Sequence, residues 1–238
     1  MRPLYLAGAA LLLFQAFGIF LPMQILGAAI DWPQSLDFPA AQVLPLIQAQ
    51  EDQVRLGYGV YLAWSLTFAA SAALIVGLAR GDRPLSVLAA LAVGLGVASA
   101  LARAIGIVRW LTGSSALADA YAAAPVGSPE RIAIETTQMA LNAYGGSVGE
   151  DLGVSMFAAL WLAVAGAVIL KDKGLPAWLG WTAFPVALIA AAPATALVGM
   201  ASPVDVVIAT AGLLLWVAAV AGILAWRGLA PALQRGQD

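Results

Sequence analysis

The chain has no cysteine and no histidine in 238 residues, and only 10% of its residues are charged. The missing cysteines rule out disulfides and thiolate chemistry, and the missing histidines remove haem ligation and the usual zinc, copper and iron ligand sets. Neither a Ser-His-Asp nor a Cys-His arrangement can be built, and no glycine-spaced nucleotide fingerprint precedes a helix. With a pI near 5.0 and no basic stripe, nucleic acid is not an expected partner. A metal would have only carboxylates to bind, so neither metal nor cofactor is expected. What fills the chain instead is apolar: 62% of the residues are hydrophobic and the mean hydropathy is +0.91, whereas about a quarter of an ordinary soluble domain is charged.

The apolar residues fall into six stretches long enough to cross a hydrocarbon core, which takes about 20 residues of helix. They are 3–30, 56–79, 85–110, 151–170, 175–199 and 204–226. The expected fold is all-α, a polytopic bundle of about six transmembrane helices forming one integral membrane domain over 1–238. Segments 31–55 and 111–149 are expected to make an extracytoplasmic cap of amphipathic helices. Basic residues are retained in cytoplasmic loops. An N-in, C-in topology puts Arg2, Arg80, Arg83, Lys171, Lys173, Arg227 and Arg235 on the cytoplasmic side, seven of the eleven Lys and Arg. The first stretch is too long for a signal-peptide core and reads as an uncleaved signal anchor. The expected location is the bacterial inner membrane, with both termini cytoplasmic.

Within the spans, Gly94, Gly96, Ala98, Ala100, Ala163, Gly166 and Ala167 permit close helix packing. Pro22, Pro185 and Pro193 are expected to kink their helices. Gln15, near the middle of the first span, is a candidate for a hydrogen bond between helices. Trp32 and Trp110 fit one interfacial belt, and Trp178, Trp181 and Trp226 the other. Two hairpins run from Gly59 to Pro84 and from Gly153 to Pro176 over 25 and 23 positions. Such spacing fits an internal repeat, but any two antiparallel apolar helices with a short basic turn would align as well.

Charge inside an apolar stretch is the informative exception. Arg103 and Arg109 lie roughly 27 and 36 Å along the third span, about 120° apart around it. The next span begins at Glu150 and Asp151, at the same expected depth. Between them Ser128-Pro129-Glu130 reads as an N-cap, a first-turn proline and a first-turn acid. The helix that follows, to about Tyr144, carries Arg131, Glu135, Gln138 and Asn142 on one stripe. Ile132, Ile134, Met139 and Leu141 lie off it. The stripe faces either water or the Arg103, Arg109, Glu150, Asp151 cluster. Gly145-Gly146 and Gly149 are expected to end this helix in a flexible joint.

The candidate ligand-binding residues are therefore Arg103, Arg109, Glu135, Gln138, Asn142, Glu150 and Asp151; catalytic residues are not identified. An ion-pair cluster that ties two helix ends together explains the charges as readily as a site does. In a site, the arginines would hold an anionic headgroup, carboxylate or phosphate, and the acids would orient them or carry a proton.

The strings Arg103-Ala-Ile-Gly-Ile-Val-Arg109-Trp110, Asn142-Ala-Tyr-Gly-Gly-Ser-Val-Gly-Glu150-Asp-Leu-Gly153 and Leu160-Trp161 resemble the bacterial multi-pass membrane family known as domain of unknown function 4386. That resemblance implies a membrane fold and no assigned activity.

Three functions stay open. One is a binding or sensory protein that holds an amphipathic or anionic ligand, membrane lipid among them, in a polar pocket at the ends of the third and fourth spans. Another is a small secondary transporter, disfavoured because no ionisable residue lies at mid-span. The third is a membrane enzyme using Glu150 or Asp151 beside an arginine, although nothing in the spacing demands chemistry. A structural role beside another membrane protein is a further alternative.

Overall fold

The computed structural model describes the backbone of residues 2–235 and the side chains of residues 3–229. The side chains of Arg2 and Arg235, both used in the charge argument, lie outside the described residues. Among the described residues there is no strand, and six helices are long and apolar enough to cross a membrane.

The first span is divided into α1 (Arg2–Phe17) and α2 (Phe20–Ile30). Pro22 supplies the reason: it has no N–H to give, and its ring crowds the carbonyl of residue i−4, which is Gly18. The turn falls at Gly18–Ile19. A 3-10 turn at Gln34–Asp37 leads to α3 (Ala40–Ala49), then α4 (Glu51–Arg80) and α5 (Val87–Arg109). Beyond Arg109 the helix does not stop. It widens to π geometry over Trp110–Ser114 and continues as α6 (Ser115–Ala123).

Helix α7 (Pro129–Gly146) starts as its sequence predicts: Ser128 is extended at φ −72°, ψ 152°, and its Oγ accepts from the Arg131 N–H at 3.2 Å. Its end differs from expectation. Gly145, Gly146 and Gly149 make no joint; the helix passes through them into an eleven-residue π stretch, Ser147–Phe157, and then α8 (Ala158–Asp172). The helices over 87–123 and 129–172 hold 37 and 44 residues. Each is well beyond the about 20 residues that cross a hydrocarbon core. The chain closes with α9 (Ala177–Ala191), a 3-10 continuation at Ala192–Val198 that opens beside Pro193, and α10 (Val206–Arg235). Pro185 is accommodated inside α9.

Two compact units are formed. The first comprises residues 1–18, 67–100 and 151–238. Its core joins Phe68, Trp161 and Trp216, with ring centroids 5.1 and 6.0 Å apart in edge contacts. Gly166 and Gly180 let α8 and α9 touch: a Cβ on Gly166 would lie 2.9 Å from the Gly180 carbonyl oxygen. Gln15 is fully buried and accepts a hydrogen bond from Thr67 Oγ1 at 3.0 Å. The turn after α8 is pinned by the Gly174 N–H donating to Ala79 O at 2.9 Å. Arg83 donates to Lys171 O and Asp172 Oδ1, both at 3.1 Å, and Arg227 to Gly174 O at 3.2 Å.

The second unit comprises residues 19–66 and 101–150. There α3 packs on α6 and α7 around Val43, Leu44, Ile47, Ala118, Tyr121 and Ile134, and a second group, Leu26, Val54, Tyr58, Ile107 and Trp110, completes the core.

Candidate functional site

The second unit holds both arginines of α5, and both are buried, Arg103 at 3% and Arg109 at 7% exposure. A charged side chain withdrawn from water needs compensating partners. Arg109 is compensated in three ways. Its guanidinium carbon lies 5.3 Å from the centroid of the Trp110 ring, within cation–π range. Its Nη2 pairs with Glu150 Oε1 at a long 3.5 Å. Its alkyl stem crosses α7 where Gly145 has no side chain; a Cβ there would collide with Arg109 Cδ and stand 3.0 Å from Nη1. Arg109 Nε has no hydrogen-bond partner among the described residues.

The register that brings Glu150 to Arg109 is set by glycine. A Cβ on Gly106 would meet Gly149 Cα at 2.7 Å and Gly145 O at 2.9 Å, so α5 and the 129–172 helix run backbone to backbone at this level. That spacing is the small-xxx-small contact of membrane helices, made here by Gly145 and Gly149 against Gly106. Both π-helical stretches adjoin the contact: one begins directly after Arg109, and the other contains Gly149, Glu150 and Asp151. Widened turns of this kind recur at functional sites.

An aromatic wall on α4 completes the cluster. Tyr58 stacks on Trp110 with centroids 5.2 Å apart and planes 5° from parallel. Tyr61 lies 5.8 Å from Trp64, and the Trp64 ring lies 6.0 Å from the Arg103 guanidinium carbon. The charges of Arg109 and Glu150 act on Tyr58, and those of Arg103, Arg109 and Glu150 on Tyr61. The sequence reading missed these tyrosines. Their signal was present: Tyr58, Tyr61 and Trp64 are spaced three apart, so each neighbours the next on the helix surface.

Trp110, expected as an interfacial anchor, is 2% exposed, with Tyr58 stacked on its ring and the Arg109 guanidinium against it, so it is packed within the unit. By contrast, Trp178, Trp181 and Trp226 are each more than half exposed.

The α7 stripe faces inward. Gln138 is 2% exposed, whereas Ile132 and Met139 stand at 61% and 63%. Asn142 Nδ2 donates to Leu36 O at 2.8 Å. Glu135 is drawn away from the arginine pair, accepting from Tyr121 Oη at 2.8 Å, with the Arg131 guanidinium 4.0 Å from the same ring. Asp151 falls in the first unit. Of the seven predicted site residues, the structure thus pairs Arg109 with Glu150 directly and puts Arg103 within electrostatic reach of Tyr61, which also feels that pair. Gln138 and Asn142 share the inner face of α7 with Gly145, and Glu135 serves a separate contact with α6. Among the described residues no group of three or more carboxylates is arranged to hold a metal ion.

No curated protein and no solved structure matches the chain. The model of the family described as domain of unknown function (DUF4386) matches residues 6–228, nearly the whole length, and the protein belongs to that family.

Proposed function

We propose that this protein is a multi-pass protein of the bacterial inner membrane, with both termini cytoplasmic, that binds an anionic, amphipathic ligand through Arg109 in its second unit. The observation that carries this reading is the state of Arg109. A guanidinium has five N–H donors. This one is buried against Trp110, makes a single long contact to a carboxylate that is itself 39% exposed, and leaves Nε without a partner. A purely structural ion pair gains its strength from short, bidentate geometry, which is absent here. An anionic oxygen at Nε would give that buried donor a partner, and Glu150 at Nη2 would set the arginine's orientation while leaving Nε to the ligand. The aromatic wall of Tyr58, Tyr61 and Trp64 supports an apolar body attached to that anion. The cytoplasmic placement of the termini rests on the basic turns at 80–83 and 171–173.

Native mass spectrometry of the mildly purified protein, with identification of retained lipids and metabolites, tests the reading. A specific anionic molecule retained by the wild type and lost in folded Arg109→Ala and reduced in Glu150→Gln is the expected result. A wild type that retains no specific molecule would refute it and leave the charges a structural pair.

A further inference from the structure

The inner face of α7 carries more than the floor under Arg109. Gly145, over which the arginine stem passes, lies one turn from Asn142 and two turns from Gln138, so the three share a face about 10 Å long. The Asn142 side chain has a fixed orientation: Leu36 O can only accept, so the atom 2.8 Å from it is Nδ2 and the inward atom is the carbonyl Oδ1. That Oδ1 is buried and has no hydrogen-bond partner among the described residues, and the same is true of Gln138 Oε1. Two facing elements add buried hydroxyls in the same condition. One is Ser114, fully buried at the end of the π stretch that starts at Trp110, where a Cβ on the adjoining Gly113 would touch Leu141 of α7 at 2.6 Å. The other is Tyr58, stacked on Trp110.

Orphaned buried polar atoms carry a desolvation cost that only a partner removes. Here their types are specific. Arg109 Nε is a donor and suits an anionic oxygen, but Asn142 Oδ1, fixed by the bond to Leu36 O, is an acceptor and would repel one, and Gln138 presents its Oε1 with no hydrogen bond among the described residues to hold its amide that way round. A carboxylate or a phosphodiester with no further hydroxyl therefore satisfies only the arginine end. Resting on the anion-binding reading above, we infer that the ligand carries hydroxyl groups beside its anionic group, a glycerol-phosphate type of chemistry, with the anion at Arg109 and the hydroxyls donating to Asn142 and Gln138. The same chemistry occurs in a lipid headgroup and in a free polyol phosphate, and the two sources are separable.

The test compares two lipids of equal charge, dioleoyl-phosphatidylglycerol and dioleoyl-phosphatidylmethanol, which differ in the headgroup hydroxyls. Each is offered to the full-length protein in neutral-lipid nanodiscs and retention is read by native mass spectrometry. Two hydroxyl hydrogen bonds favour the glycerol headgroup by about tenfold or more. In Gln138→Leu the preference falls toward one while thermal stability holds or rises, because the orphaned acceptor has been removed; a residue with only a structural role would not move the lipid ratio. A second arm offers glycerol phosphate and methyl phosphate in solution, and a preference there, without lipid retention, assigns the same chemistry to a soluble ligand. Equal retention of the members of each pair by the wild type overturns this inference and leaves the anion reading standing. No retention of any of the four overturns this inference, and the anion reading falls with it only where the purified protein also retains no specific anionic molecule.

Discussion

Replacing Gly106 by alanine tests the backbone contact on which the site depends. The added methyl would sit 2.7 Å from Gly149 Cα, 2.9 Å from Gly145 O and 3.1 Å from Gly149 N, all main-chain atoms of a continuous helix. Comfortable carbon contacts begin near 3.5 Å, so the helices must part by about 1 Å. Overpacking of this kind costs about 1–3 kcal/mol, and the upper end applies because no flexible side chain can absorb the strain. For a chain of this length about 3 kcal/mol lowers the melting temperature by about 6–12 °C. Gly94 lies on the same helix with nothing within 4 Å of its would-be Cβ. Gly94→Ala should raise stability by up to about 1 kcal/mol through helix propensity alone. Far-UV circular dichroism melts of both variants and wild type, in one detergent, provide the measurement. Two variants that melt together, or a Gly106→Ala at or above wild type, would show that the helices do not approach as closely as the structure has them and would remove the basis for the Arg109–Glu150 register.

Gly145→Ala should behave differently from Gly106→Ala. Its methyl meets the stem of Arg109, which can swing aside, so melting should shift by about 1 kcal/mol or less while ligand retention by native mass spectrometry falls as in Arg109→Ala. Arg83→Ala should cost about 1 kcal/mol, since Asp172 is buried at 6% but Arg83 is 53% exposed, and the loss should shrink in high salt, as read from melts at two ionic strengths. Because the chain has no native cysteine, single-cysteine labelling reports topology directly. An impermeant maleimide should label Asp52→Cys in intact cells and Asp82→Cys only after permeabilisation; the reverse pattern would invert the proposed orientation.

The six spans and the start of α7 were legible because the signals are local. A run of about 20 apolar residues specifies a span through transfer energy alone. Ser128-Pro129 specifies a helix start because the orphan N–H groups are satisfied within one turn. Composition also marked Arg103, Arg109 and Glu150 as exceptional, since charge in an apolar helix is costly wherever the helix goes. Even the division of the first span was implied by Pro22, whose clash is with a carbonyl four residues away.

The direction of the α7 stripe and the meaning of its glycines were decided elsewhere. Periodicity puts Gln138 and Asn142 on one face, but that this face is covered follows from contacts such as the bond from Asn142 to Leu36, 106 positions away. Gly145-Gly146 and Gly149 carry the local signature of a helix end, and no sequence window holds the fact that Gly106 lies against Gly149 or that Arg109 needs Gly145 bare. Trp110 likewise reads as a boundary residue until Tyr58 is stacked on it. The sequence by itself determined which segments leave water and where charge enters them, because those terms depend on each residue and its near neighbours along the chain. The tertiary structure alone decided which glycines are contacts, which tryptophans are buried and which polar atoms face one another, because those terms depend on surfaces that meet only after folding.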